Sequence, residues 1–129
     1  MKLLLEHEKA SLKFNEDTKS IELVWKKKQD FETYKMMFNK GLEALKANRA
    51  TGWLSDIRNQ GIVGPENATW VQKEIVPKAV AAGLKKIAVV MDKDVFKEYY
   101  VNKIKNGSEA NGIMQYFDTE SAANAWLKA

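Results

Sequence analysis

The chain changes its hydrophobic rhythm near residue 30. Before that point apolar residues come in short runs, SLKF and IELVW, on either side of NEDTKS. The asparagine, aspartate and serine of that stretch suit a turn, so the two runs predict an antiparallel β-hairpin. LLLEH, ahead of them, predicts an earlier edge strand. After Asp30 the spacing lengthens: Phe31, Tyr34, Phe38, Leu42 and Leu45 form one stripe of a helix running to about Asn48. Asp30 is its expected N-cap. Gly41 lies inside that helix, where it costs about 1 kcal/mol against alanine, and close approach to a strand is the expected compensation.

TGWLSDI then predicts a buried strand, followed by a polar turn and a second helix from about Pro65 to Ala82. Proline and glutamate at 65 and 66 suit a first helical turn. Ala68, Val71, Ile75, Ala79 and Ala82 form the inward stripe. Pro77 falls within this helix and frees the carbonyl of Lys73, which predicts a kink or break. Gly83 supplies the left-handed ending. KKIAVVM is continuously apolar from Ile87 to Met91, as in a parallel strand covered on both faces. DKDVFKEYYVNKIKNG predicts a third helix ending at Asn106-Gly107, GIMQYF another strand, and DTESAANAWLKA a final short helix. From Asp30 onward the order is α, β, α, β, α, β, α. Such alternation specifies a mostly parallel sheet flanked by helices.

Composition narrows the function more than the fold. A chain of 129 residues, 45% hydrophobic and 29% charged, is expected to be one globular domain over residues 1–129. It has no cysteine, which excludes disulfides, thiolate metal sites and cysteine nucleophiles. His7 is the lone histidine, which removes most zinc and Ser-His-Asp arrangements. Without a nucleophile–base pair or a glycine-rich phosphate loop, no enzyme and no cofactor are expected. The opening MKLLLEHEKA is too short an apolar run for a signal peptide or membrane span, so a cytoplasmic location is the expectation. The formal charge is +4, but only Arg49 and Arg58 are arginines and the lysines scatter. Nucleic-acid surfaces concentrate arginine and aromatics on one face, so a solvated lysine-rich surface is expected here and no nucleic-acid partner.

The ordering of an N-terminal hairpin and short β/α units resembles the STAS domains, the SpoIIAA-like fold of anti-anti-sigma factors. The likeness extends to small bacterial proteins of the STAS/CRAL-TRIO-like kind. It is carried by WLSDIRNQGIVGPENATWVQKEIVPKAVAAGLKKIAVV and the closing MQYFDTESAANAWL. The resemblance implies an α/β fold, a SpoIIAA-like (STAS) domain whose hairpin and β/α units make a mixed, mostly parallel sheet flanked by helices. It also implies a non-enzymatic, regulatory role in binding a protein partner. Anti-anti-sigma factors are switched by phosphorylation of a serine, in a D-S-[ST]-G type stretch at the start of the helix after the central strand. The equivalent turn here reads DIRNQGIVGPE, with no serine or threonine between Ile57 and Glu66. Ser55 lies inside the apolar strand and Thr69 within the helix, so the phospho-switch does not carry over. The CRAL-TRIO-like side of the resemblance implies an alternative, a carrier of an apolar or lipid-like small molecule.

In open parallel sheets, ligands bind beyond the carboxyl ends of the strands. The turn after TGWLSDI belongs there, which makes Asp56, Arg58 and Asn59 the candidate binding residues. Arginine suits bidentate recognition of carboxylate or phosphate, although Asp56 and Arg58 could equally pair with each other. Trp53 and Trp70 flank the turn and complete the candidate set, while Trp25, Trp53, Trp70 and Trp126 together could line an apolar pocket. Asp56, Asp92 and Asp118 all stand at or near strand ends. Asp92 or Asp94, and Asp118, each precede a helix, however, where aspartate is first an N-cap, and no metal is expected. The hairpin also offers a sheet edge through which homodimers could form.

Overall fold

The hairpin and its leading strand pair as the sequence predicts. In the computed structural model, which describes residues 1–106 and 109–129, β1 (Lys2–Glu6), β2 (Ala10–Asn15) and β3 (Ser20–Trp25) form an antiparallel ribbon. β4 (Gly52–Asp56), β5 (Lys86–Val90) and β6 (Met114–Phe117) follow in parallel, giving one six-stranded sheet in the order β1-β2-β3-β4-β5-β6.

Strand order in a parallel run decides where the helices go. Each step from β3 to β6 moves one strand in the same direction, and right-handed crossovers then deliver every connecting helix to the same face. That face carries α1 (Phe31–Asn48), the pair α2 (Pro65–Trp70) and α3 (Val76–Ala81), and α4 (Val95–Lys105). Their inward residues join Ile21, Leu23, Trp25, Trp53, Ile87 and Val89 in the main core. α5 (Glu120–Lys128) packs on the other face, where Ala123 and Leu127 meet Leu54, Ala88 and Val90. β5 is therefore buried on both sides, which explains its unbroken apolar run.

Gly41 has the compensation expected of it. A Cβ there would fall well inside contact distance of the Trp53 indole, so glycine lets α1 settle onto β4. Trp53 stacks on Phe38 at 5.7 Å and donates its indole N–H to Ser55 Oγ at 2.7 Å. Phe31, at the start of the predicted stripe, is the exception: it stays exposed, edge-on to Trp70.

Pro77 interrupts the regular α-helix at the place expected, and the interruption takes the form of a π turn. The helix widens over Val71–Ile75 into a π turn, in which Val76 donates its N–H to the Val71 carbonyl, five residues back. The wider turn accommodates the missing donor and lets the chain continue into α3. It also brings Val76 into the core beside Ile75. Gly83, at φ 113, ends α3 in a Schellman motif, with Leu84 N–H donating to Ala79 and Gly83 N–H to Val80.

One expectation about caps needs correction and one is narrowed. Asp118 does not cap α5; Thr119 does, accepting from Ala122 N–H at 3.1 Å. Of the two aspartates expected before α4, Asp94 is the cap, accepting from the N–H groups of Phe96 and Lys97. α4 ends at Lys105 with Asn106 as its cap, and Gly107 lies outside the described residues.

Candidate functional site

The turn from Asp56 to Asn59 emerges at the carboxyl end of β4, level with the ends of β3 and β5, because the register pairs Val24, Asp56 and Val90 across the three strands. Asp56 is 4% exposed. A buried carboxylate needs a partner, and Arg58 supplies one. Its Nε and Nη2 donate to the two carboxylate oxygens at 2.9 and 2.6 Å, and its backbone N–H adds a third bond at 3.2 Å. These hydrogen bonds raise the guanidinium pKa further above its usual value. The fork that could have recognised an external anion is thus turned inward. Its Nη2 also lies 3.9 Å from Glu120 at the start of α5. Asn59 is exposed beside the pair.

Lys97 is the residue the sequence reading missed. Its ammonium reaches from α4 to donate to Asp92 Oδ1 at 2.7 Å and to the Arg58 carbonyl at 2.9 Å, and the side chain is 10% exposed. This contact pulls the Asp92 carboxyl below its ordinary pKa. Lys97 ties together the loops after β4 and β5. A signal was present: position 97 begins the inward stripe continued by Tyr100, Val101 and Ile104, so a lysine there had to find buried acceptors. Asp56 is thus held by Arg58 and Asp92 by Lys97, so two of the three strand-end aspartates are committed to cations. Among the described residues no group of three histidine, cysteine, aspartate or glutamate side chains could hold a metal ion.

Beside this network lies a small apolar prominence. Ile62 and Phe96 are 62% and 64% exposed and flank a hollow also lined by Gln60, Val63, Lys97 and Tyr100. Tyr99, one turn along α4 from Phe96, is 63% exposed, while Tyr100 points inward. Beneath the hollow, the hydroxyls of Tyr34 and Tyr100 hydrogen-bond to each other. Burial pushes both phenols above their usual pKa, so the pair is neutral. Gln60 is 1% exposed, and its side chain lies against the Tyr100 hydroxyl.

The four tryptophans do not line one pocket. Trp25 and Trp53 are buried in the main core, Trp70 is half-buried against Phe31, Tyr34 and Phe38, and Trp126 lies across the sheet against Phe117. Phe38 links Trp53 and Trp70, at 5.7 and 6.4 Å. Trp53 also lines a cavity of about 50 Å³ between the sheet, the π turn, α3 and α4, together with Ile75, Val89, Tyr100 and Val101. Ser55 lies in that lining too, buried and holding the Trp53 N–H, away from the exposed turn.

An antiparallel ribbon leading into three crossover units, with a closing helix on the opposite face, defines a mixed α/β protein whose polar turn stands at the carboxyl rim of its sheet. The SpoIIAA-like family matches residues 20–128, and the chain belongs to that family. The match begins at β3, earlier than the residues that carried the resemblance. Among solved structures, an uncharacterized protein of the DUF3478 family with a SpoIIAA-like fold, from Shewanella loihica PV-4, is similar at a TM-score of 0.63. It has 17% sequence identity, over 96% of this chain and 98% of that one, a likeness of fold. No curated protein matches the sequence. Among the described residues, no helix is long and apolar enough to cross a membrane.

Proposed function

We propose that the chain is a non-enzymatic, cytoplasmic STAS-like module that binds a protein partner in a regulatory interaction, through the carboxyl rim of its parallel strands. The observation that carries this reading is the exposed pair Ile62 and Phe96 at the edge of the Asp56–Arg58–Lys97 network. Large apolar side chains exposed together beside an ordered polar frame are the make-up of a protein-binding surface. In this reading Arg58 and Lys97 hold the surface in shape, while Asn59, Ile62, Phe96 and Tyr99 meet the partner. The absence of serine and threonine from residues 58–65 means that recognition here works without the family's phosphorylated serine. Homodimerisation along β1, the outer strand of the ribbon, belongs to the same reading.

The test is quantitative recovery of bound protein by wild type and by Ile62→Asp/Phe96→Asp, both checked for an unchanged melting curve. The proposal expects one recovered species to be lost from the double variant. Recovery of that species in equal amounts by both proteins would refute it.

The carrier reading is supported by the cavity beneath the π turn, whose walls are almost wholly apolar. At about 50 Å³ it is far below the roughly 150 Å³ that holds benzene in an engineered core. A carrier would have to lift α3 or α4 to admit its cargo. Native mass spectrometry separates the readings: a carrier retains an apolar adduct, whereas an interaction module runs at its own mass.

A further inference from the structure

β1 forms one edge of the sheet, and no strand of the described residues pairs with its outer side. An open apolar edge attracts further strands, and proteins blunt such edges with charge, proline or a bulge. β1 reads KLLLE: it is charged at both ends, has leucine at three successive positions, and is bulged at Leu4 against β2. Leu3 is 55% exposed. Leu4 and Leu5 are half-buried, and with Leu12, Ala44 and Ala47 they line an open groove of about 600 Å³ between β1 and α1.

The bulge decides what kind of strand fits this edge. Leu3 lies opposite Lys13, on the α5 side of the sheet, and Glu6 lies opposite Ser11 on the same side. Between them, Leu4 and Leu5 both turn to the α1 side, into the groove. From Leu3 to Glu6 the side chains therefore run α5 side, α1 side, α1 side, α5 side. A regular strand alternates faces and falls out of phase with this edge after two residues. Read backwards, the same four residues give the same order. A second β1, laid antiparallel, stays in phase throughout, with Leu3 opposite Glu6 of the second copy and Leu4 opposite its Leu5.

We propose that a second copy of this chain adds its β1 antiparallel to this one, about a two-fold axis between Leu4 and Leu5, so that two sheets become one. That register sets Leu4 and Leu5 of both copies side by side where the two grooves join, and removes their apolar surface from water. On the other face, Glu6 of the second copy lies across Leu3 from Lys13, so opposite charges close over the exposed leucine. Each contact occurs twice, as an isologous interface requires. The bulge that shuts the edge to regular strands thus selects a copy of itself. The inference rests on the homodimer of the reading above, to which it gives a register, and it does not involve the rim surface of Ile62 and Phe96.

Sedimentation equilibrium of the full chain tests it. Wild type is expected to pass from one chain's mass to two with a Kd on the order of 10 μM, in keeping with a small interface. Leu3→Glu sets a carboxylate opposite Glu6 of the second copy and is expected to weaken association by about tenfold or more. Leu3→Lys, equally polar, sets an ammonium there and is expected to stay within about threefold of wild type. Because Leu3 is mostly exposed, both variants are expected to keep the melting temperature of the dilute chain. Ile62→Asp/Phe96→Asp is expected to dimerise as wild type does, so failure of the rim surface and failure of this edge are read separately. A wild type that holds one chain's mass up to about 500 μM would overturn the proposal. So would equal losses in Leu3→Glu and Leu3→Lys, a dimer unaffected by Leu3→Glu, or a dimer lost from the rim variant.

Discussion

The two faces of the sheet are built on different scales. One carries α1 to α4 over a layer of stacked aromatics, Trp25, Tyr34, Phe38 and Trp53. The other carries α5 alone, seated on β4, β5 and β6. On that thinner face the register places Ser11, Lys13 and Glu22 from the ribbon in line with Leu54 and Asp56. The contrast explains a difference in sequence texture. β2 alternates polar and apolar residues throughout, and β3 does so from Ser20 to Leu23, because only one of their faces meets a helical layer. β5 does not alternate, because it has helices on both sides. It also locates the polar site: Asp56 is buried on the thin face, where a charge could be matched by Arg58 rather than by an aromatic core.

The largest effect that would break this contrast is in the thick layer. Trp53→Ala is expected to lose about 3–5 kcal/mol of stability in denaturant unfolding. Leu127→Ala, on the thin face, is expected to lose about 2 kcal/mol, at the low end for such a change. Equal losses would mean that the two faces contribute alike. Gly41→Ala is expected to cost about 1–3 kcal/mol, because the new methyl group meets the Trp53 ring. Combining it with Trp53→Leu should give less than the sum of the two losses; strict additivity would show that the contact is not the cause.

A smaller loss, about 1–2 kcal/mol, is expected for Arg58→Ala, which leaves Asp56 buried with one backbone donor. Adding Asp56→Asn should restore part of it, as thermal melts of the three variants would reveal.

The smallest expected effect concerns Glu22. Burial raises the pKa of this carboxyl above 4.5, against the hydrogen bond it accepts from Asn15 Nδ2 at 3.0 Å. The folded state therefore holds the proton more tightly than the unfolded one, and stability from this group falls as pH rises from the ordinary carboxylate range through the raised value. Glu22→Gln should remove that fall, so that its advantage over wild type grows with pH and then levels off. A difference that is flat across pH would contradict it.

Local pattern made much of the molecule legible. Turn residues in NEDTKS, the stripe through Tyr34 and Leu45, the glycine at 83 and the apolar run of β5 act over a few positions, and each formed as expected. Asp56 and Arg58, two residues apart, were also visible as a pair in the chain. What remained hidden depended on groups far apart in sequence. Whether Arg58 faced outward or gripped Asp56 turned on the burial of Asp56, which β3, β5 and α5 impose. Lys97 acquired its role from carbonyl and carboxylate oxygens 39 and 5 residues away.

Sequence by itself determined the succession of strands and helices, because backbone preference and hydrophobic period are properties of short segments. Tertiary structure alone decided that four of the helical segments share one face, that Pro77 is absorbed by a π turn, and that the site's charges pair inward. Those outcomes follow from strand order, packing space and the need to match buried charge, and each exists only once distant segments have met.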